Sequence, residues 1–209
     1  MKASKHHAWW AAALLLACSG SASAHIVAAR LGDFYTGALH PLTDLQDIVL
    51  WLGLGILAGS IGGAQGRWLV VVMPLGLLAG LGIKLGLGLG DAGTVANAAM
   101  MVFVGLLLAA HVRLNAAALC AIAFLLALIR GAVNAGGVGP ETNRVLFAAG
   151  LATAGYAAIT LVMAVTVAFR RPYTDPAGGW RGVAVRVCGS WIAAIGLMIG
   201  GFALKSAAG

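Results

Sequence analysis

The sequence predicts an all-α, polytopic transmembrane bundle, and three observations carry that prediction. Hydrophobic residues make up 61% of the 209 positions, charged residues only 9%, and the mean hydropathy is +0.98; a soluble domain carries roughly 25% charge. The apolar positions gather into runs long enough to cross a bilayer, without the period-two alternation of barrel strands. The 31 glycines follow no Gly-X-Y period, which excludes collagen, and so apolar a chain cannot stay solvated as a disordered one.

Residues 1–24 read as a cleavable signal peptide. Lys2, Lys5, His6 and His7 precede an apolar run from Ala8 to Ala17, and Ala22-Ser23-Ala24 supplies the small-x-small cleavage pattern. The run is too short to span, because a hydrocarbon core of about 30 Å needs about 20 helical residues. The mature chain then begins at His25 and forms one domain, residues 25–209. Two alternatives remain: lipoprotein cleavage ahead of Cys18, after Leu15-Leu16-Ala17, and an uncleaved anchor. Cleavage leaves Cys120 and Cys188, both in apolar runs, where buried free thiols are expected rather than a disulfide or a thiolate metal site.

Six apolar segments follow: Leu45 to Gly63, Trp68 to Leu87, Thr94 to Val112, Ala116 to Asn134, Val145 to Phe169 and Val183 to Leu204. Each is expected to be a helix, since backbone groups in hydrocarbon must be satisfied within their own segment. Pro74 is expected to kink the second. The connections are short apart from Arg170 to Gly182.

The formal charge is +7, from 13 basic and 6 acidic residues. The basic residues are scattered singly between apolar runs, with no basic helix face and no aromatic stacking platform, so nucleic-acid binding is not expected. Positive cytoplasmic loops are a sufficient cause. With the mature N-terminus outside, an even number of spans also leaves Gly209 outside, and the inner connections hold Arg67, Arg113, Arg170, Arg171, Arg181 and Arg186. The outer side then holds Asp33, Asp44, Asp47, Asp91 and Glu141, with Arg30, Arg144 and Lys205 against the trend. This is the topology of a bacterial inner-membrane protein with both termini periplasmic.

Small residues four apart let helix backbones approach when lipid removes the hydrophobic drive between them. Gly55, Gly59 and Gly63 form such a stripe, as do Gly76 and Gly80, then Gly82, Gly86 and Gly90, then Gly196 and Gly200. These stripes are packing signals and carry no chemistry.

Function is expected where polar residues enter the membrane. In His40-Pro41-Leu42-Thr43-Asp44-Leu45-Gln46-Asp47, Pro41 suits a first helical position, and His40, Asp44 and Asp47 fall at i, i+4 and i+7 on one face. An imidazole and two carboxylates one turn apart could bind a divalent cation; acids in an opening turn also complement the helix dipole. The alternating topology adds Asn97 at the start of the third span, and Arg130 and Asn134 at the end of the fourth. These residues are expected at one depth with Asp44, Gln46 and Asp47. Arg130 is permanently charged and is expected to pair with Asp47 or Asp44, competing with a metal for the carboxylates.

At these residues the chain resembles the HupE/UreJ family, membrane proteins associated with hydrogenase and urease gene clusters and regarded as permeases for nickel or related metals. The resemblance covers about all of residues 25–209. It includes the His-first mature end Ala24-His25, the opening His40-Pro41-Leu42-Thr43, the glycine-rich first span, and the closing Arg186-Val187-Cys188-Gly189 with Gly196 beyond. The family's first motif is His, five residues, then Asp-His. His40 matches it, Gln46 stands in the Asp position and Asp47 in the second His position. Its fourth span carries His-Gly with a His or Asn downstream, where this chain reads Arg130-Gly131-Ala132-Val133-Asn134. Asn97 is the positional match for an acid in the third span.

Two functions follow. In the first, the resemblance implies a permease passing a divalent transition metal, nickel or a related ion, inward, with His40 and Asp47 as entry ligands. Asp44 and Gln46 support them, and His25 adds its imidazole and new α-amine. In the second, the bundle is a non-transporting accessory or scaffold subunit, its pocket frozen by an Arg130–Asp47 pair, with other subunits as partners.

The remaining motifs are structural. His111 beside Arg113 reads as a helix end with complementary charge. Lys84 is expected to snorkel, and Tyr173 and Trp180 to anchor at the interface. The chain holds no P-loop, dinucleotide fingerprint, nucleophile elbow or His-Glu-x-x-His motif, so neither an enzyme nor a cofactor protein is expected.

Overall fold

The computed structural model describes residues 32–88, 92–170 and 179–208. The signal peptide, His25, Arg30, Asp91, Arg171 and Tyr173 lie outside the described residues. All regular structure among the described residues is helical: α1 (Asp33–Thr43), α2 (Leu45–Ile61), α3 (Gly63–Gly66), α4 (Leu69–Leu87), α5 (Thr94–Ala109), α6 (Ala116–Asn134), a 3-10 turn (Ala135–Gly137), α7 (Arg144–Arg170) and α8 (Gly179–Ala208).

Among the described residues, four stretches are long and apolar enough to cross a membrane: Gly63–Leu87, Ala116–Gly137, Arg144–Arg170 and Gly179–Ala207. The pair α1–α2 passes the same test only as one span bent by 80°. That raises the number to five. The expected third span is shorter than its apolar run, because α5 stops at Ala109 and has 16 residues, or about 24 Å of helix. Val112 therefore lies beyond the helix, and His111 takes a left-handed φ of 51° in the connection, a region in which His is tolerated better than most side chains.

The largest departure from expectation is at the first segment. Pro41 does not open a helix; it sits inside the last turn of α1, and the chain breaks after Thr43. Asp44 is extended there (φ −95°, ψ 115°), and its Oδ1 accepts the Gln46 backbone N–H at 2.8 Å, making it the N-cap of α2. The Thr43 hydroxyl donates to the His40 carbonyl at 2.8 Å, closing α1 from the other side. The break and its 80° bend separate His40 from the helix carrying Asp47, so His40, Asp44 and Asp47 do not form one helical face as the spacing implied. At the far end Gly62, with φ 115°, ends α2 in a conformation that a side chain would strain. Helix α4 continues through Pro74 without a break.

Close approaches of glycine to backbone lock the helices together. A Cβ at Gly80 would lie 1.8 Å from the Leu128 carbonyl oxygen, and one at Gly131 2.1 Å from that of Leu77, so α4 and α6 cross backbone to backbone. Gly37 and Gly150 do the same for α1 and α7, against the Phe147 and Phe34 carbonyls, and Gly105 brings α5 within reach of Ala193 on α8. Gly55 and Gly59 accept Val162 and Thr166 of α7. Buried Leu50, Leu54, Leu57, Met73, Leu77, Met101 and Phe147 fill the centre between these crossings. Gly82 and Gly86 do not pack, for nothing lies within 4 Å of a Cβ at either, and Gly90 lies outside the described residues. The outer faces are apolar: Val71, Leu106, Leu125, Leu161, Val165 and Leu197 are each more than half exposed, as lipid contact requires. Cys188 is exposed, contrary to the buried thiol expected, because it falls on such a face; Cys120 is half-buried.

Candidate functional site

The end of α6 reaches the beginning of α2, and there the polar residues meet. Arg130 and Asp47 are each 1% exposed, as is Asn134. Arg130 Nε donates to Asp47 Oδ1 at 2.6 Å, Nη2 donates to Asp44 Oδ2 at 2.5 Å, and Nη1 donates to Gln46 Oε1 at 3.4 Å. Asn134, one turn along the same helix, donates from Nδ2 to Asp47 Oδ2 and to the Arg130 carbonyl, both at 2.9 Å. Both Asp47 oxygens are thereby occupied. The network stays mouthward-open through Asp44, whose side chain is 39% exposed.

The local sequence explains this geometry. Asp44 is held by its capping role, and Asp47 lies in the first turn of α2, where a carboxylate faces the positive end of the helix dipole. Arg130, Gly131 and Asn134 are the buried residues of the last turn of α6. Gly131 is where that turn closes on Leu77, which holds the arginine against α2. Two carboxylates against one guanidinium give the cluster a formal charge of −1. In a low-dielectric surrounding an unpaired member of such a set is very unfavourable, so the partners hold one another in place.

Of the residues singled out from sequence, Asp44, Gln46, Asp47, Arg130 and Asn134 come together. Asn97 is buried but bonds elsewhere: its Nδ2 donates to the Ala92 carbonyl at 3.1 Å, at the start of α5. His40 lies on α1, its ring centroid 6.1 Å from that of Phe147, with its ring atoms 3.1 Å from where a Gly137 Cβ would stand. Among the described residues no group of three His, Cys, Asp or Glu side chains is arranged to hold a metal ion. The site does retain an oxygen ligand: the Asn134 side-chain Oδ1 is buried without a hydrogen-bond partner among the described residues, as is the Oδ1 of Asn97 outside the cluster.

The family described as HupE / UreJ protein matches residues 13–199. The chain belongs to the HupE/UreJ family. No curated protein and no solved structure matches it. The HupE/UreJ assignment fits a many-helix apolar bundle with a polar cluster at one end, and places this chain among membrane proteins associated with metal transport.

The opposite end of the bundle carries residues that sequence reasoning noticed only as loop charge. Arg170 Nη1 donates to the Ser60 carbonyl at the end of α2. Arg186 Nε donates to the Ala109 carbonyl at the end of α5 at 3.0 Å, and Arg181 Nη1 to the Phe169 carbonyl near the end of α7 at 2.9 Å. Each arginine thus sits on helix carbonyls that lack an intrahelical partner, where the dipole favours a cation. Trp180, 62% exposed and edge-on to Phe169 at 5.5 Å, stands beside them as an interfacial ring would. Their signal in the sequence was an arginine within a few residues of one end of each of these apolar runs.

Proposed function

We propose that this HupE/UreJ protein is an inner-membrane permease for a divalent transition-metal cation, nickel or a related ion, and that Asp44, Asp47, Arg130 and Asn134 form its closed outer gate. The observation that carries this reading is the Asp47 carboxylate, 1% exposed at the start of α2 and clamped between Arg130 and Asn134. It stands at the second His position of the family's first motif. A cation arriving at the half-open Asp44 competes with the guanidinium for a cluster of net negative charge, and the unpartnered Asn134 oxygen is a further ligand. Gln46 steadies Arg130 in the closed arrangement, and His40 and His25 are the imidazoles offered on the approach. In this reading the bent pair α1–α2 and the short α5 both cross, giving six spans behind a signal peptide of residues 1–24, with both mature termini periplasmic.

A second reading has its own support. The Arg130–Asp47 distance of 2.6 Å and the lack of a three-residue His, Cys, Asp or Glu group among the described residues favour a frozen pocket in an accessory subunit of a membrane complex. Metal accumulation in cells expressing the chain separates the two. The gate predicts that Asp47→Ala and His40→Ala reduce uptake of nickel or of cobalt, copper or zinc, and that Arg130→Gln changes its rate. Accumulation unchanged by all three, with stoichiometric partner subunits on purification, overturns the permease and establishes the scaffold.

A further inference from the structure

At the end of the bundle away from Asp47, a cavity of about 480 Å³ opens between the ends of α2 and α5, the start of α6 and the end of α7. Its floor is apolar, made by Leu57 and Leu108, which are buried. Its polar wall is His111, Arg113, Asn115 and Arg170. Among the described residues no Asp or Glu lines it, and the described acids Asp33, Asp44, Asp47 and Glu141 all belong to the other end of the helices. The Asn115 side chain accepts the Ala118 N–H at 2.7 Å, so the first turn of α6 opens at this wall with its positive dipole end. Burial, and then the charges of Arg170, Arg113 and Arg186, hold the His111 imidazole below its usual pKa.

This wall repels a cation. Two arginines, an imidazole and the Asn115-capped start of α6 line one roomy space, and guanidiniums beside a helix N-terminus are the chemistry that recognises a phosphate group. We propose that the cavity is a phosphate-binding site, taking the phosphodiester headgroup of an anionic lipid or a soluble phosphate, with Arg113 and Arg170 as the charged ligands. Arg170 is placed for this by its bond to the Ser60 carbonyl, which uses one of five donors and fixes the guanidinium at the rim. Arg113, exposed on the loop between α5 and α6, supplies the second charge without a packing role.

The site does not depend on the outer gate, and its test does not use metal uptake. The full chain, purified in neutral detergent, is heated in inorganic phosphate and in chloride at equal ionic strength. Lipids retained after reconstitution in mixed phosphatidylglycerol and phosphatidylcholine vesicles are then counted by native mass spectrometry. We expect either a phosphate-specific rise in melting temperature, which identifies a soluble ligand, or about tenfold preference for phosphatidylglycerol, which identifies a headgroup. Arg113→Gln should reduce whichever effect is found, and Arg113→Gln with Arg170→Gln should abolish it. Arg113→Gln melts like the unaltered chain in chloride, which keeps loss of binding distinct from loss of fold. Neither effect in the unaltered chain, or an effect that survives the double substitution, overturns the proposal.

Discussion

Arg130 Nε donates to Asp47 Oδ1 across 2.6 Å, tying the last turn of α6 to the first turn of α2 between two side chains that are each 1% exposed. Removing Arg130 leaves Asp47 charged and buried with Asn134 alone, and removing Asp47 leaves the buried Arg130 with Asp44 and Gln46, at a cost of up to about 3–5 kcal/mol, whereas removing both takes the buried charges away together and leaves the partly exposed Asp44 to water. Arg130→Met and Asp47→Leu singly are therefore expected to lower the melting temperature in detergent sharply. The double substitution should recover much of the loss. Additive losses in the double variant would show that the two residues do not act as a pair.

Asn134 holds the second Asp47 oxygen at 2.9 Å while its own backbone turn is sealed by the bond to the Arg130 carbonyl. Asn134→Leu keeps the volume and removes both bonds, so Asp47 loses a buried partner worth about 1–3 kcal/mol. The expected result is a smaller loss of stability than for Arg130→Met, read by the same melting experiment. A loss equal to or larger than that of Arg130→Met contradicts the order of importance assigned here.

Two glycine pairs that look alike in sequence should respond in opposite ways. Gly80→Val places atoms against the Leu128 backbone and forces α4 and α6 apart, a strain of about 1–3 kcal/mol or more. Gly86→Ala meets open space and improves helix propensity, so its melting point should stay level or rise. Equal melting points for the two variants would refute the backbone crossing at Gly80.

His111 has a folded pKa below its ordinary value, chiefly from burial and then from Arg170, Arg113 and Arg186. The unfolded chain therefore binds a proton more readily than the folded one. Stability is full above the unfolded pKa of about 6.5 and falls as the pH drops through it. His111→Asn keeps a side chain tolerant of the left-handed φ of 51°. Between pH 8 and pH 5 its melting temperature should decline less steeply than that of the unaltered protein. Parallel declines would remove His111 from the pH response.

Composition and run length were enough to establish a helical membrane protein, because hydrocarbon demands internally bonded backbone and that demand is written in local apolar content. The pairing of Arg130 with Asp47 or Asp44 was also legible, since spans expected to alternate in direction put the end of the fourth segment near the start of the first and a buried guanidinium needs an anion. The one-face arrangement of His40, Asp44 and Asp47 was not. Spacing assumes a continuous helix, and the chain breaks where the Asp44 side chain caps α2 and the Thr43 hydroxyl closes α1.

Sequence alone determined which residues are too polar for lipid and which stretches must be helices, since both follow from each residue's own transfer energy. Only the tertiary structure decided that Gly80 touches a neighbouring backbone while Gly86 touches nothing, and that Asn97 bonds to Ala92 while Asn134 bonds to Asp47. It also decided that Arg113 and Arg170 line one cavity rather than stand as separate loop charges. Those outcomes depend on the rotation of each helix about its axis and the angle at which it crosses its neighbours, and packing sets both.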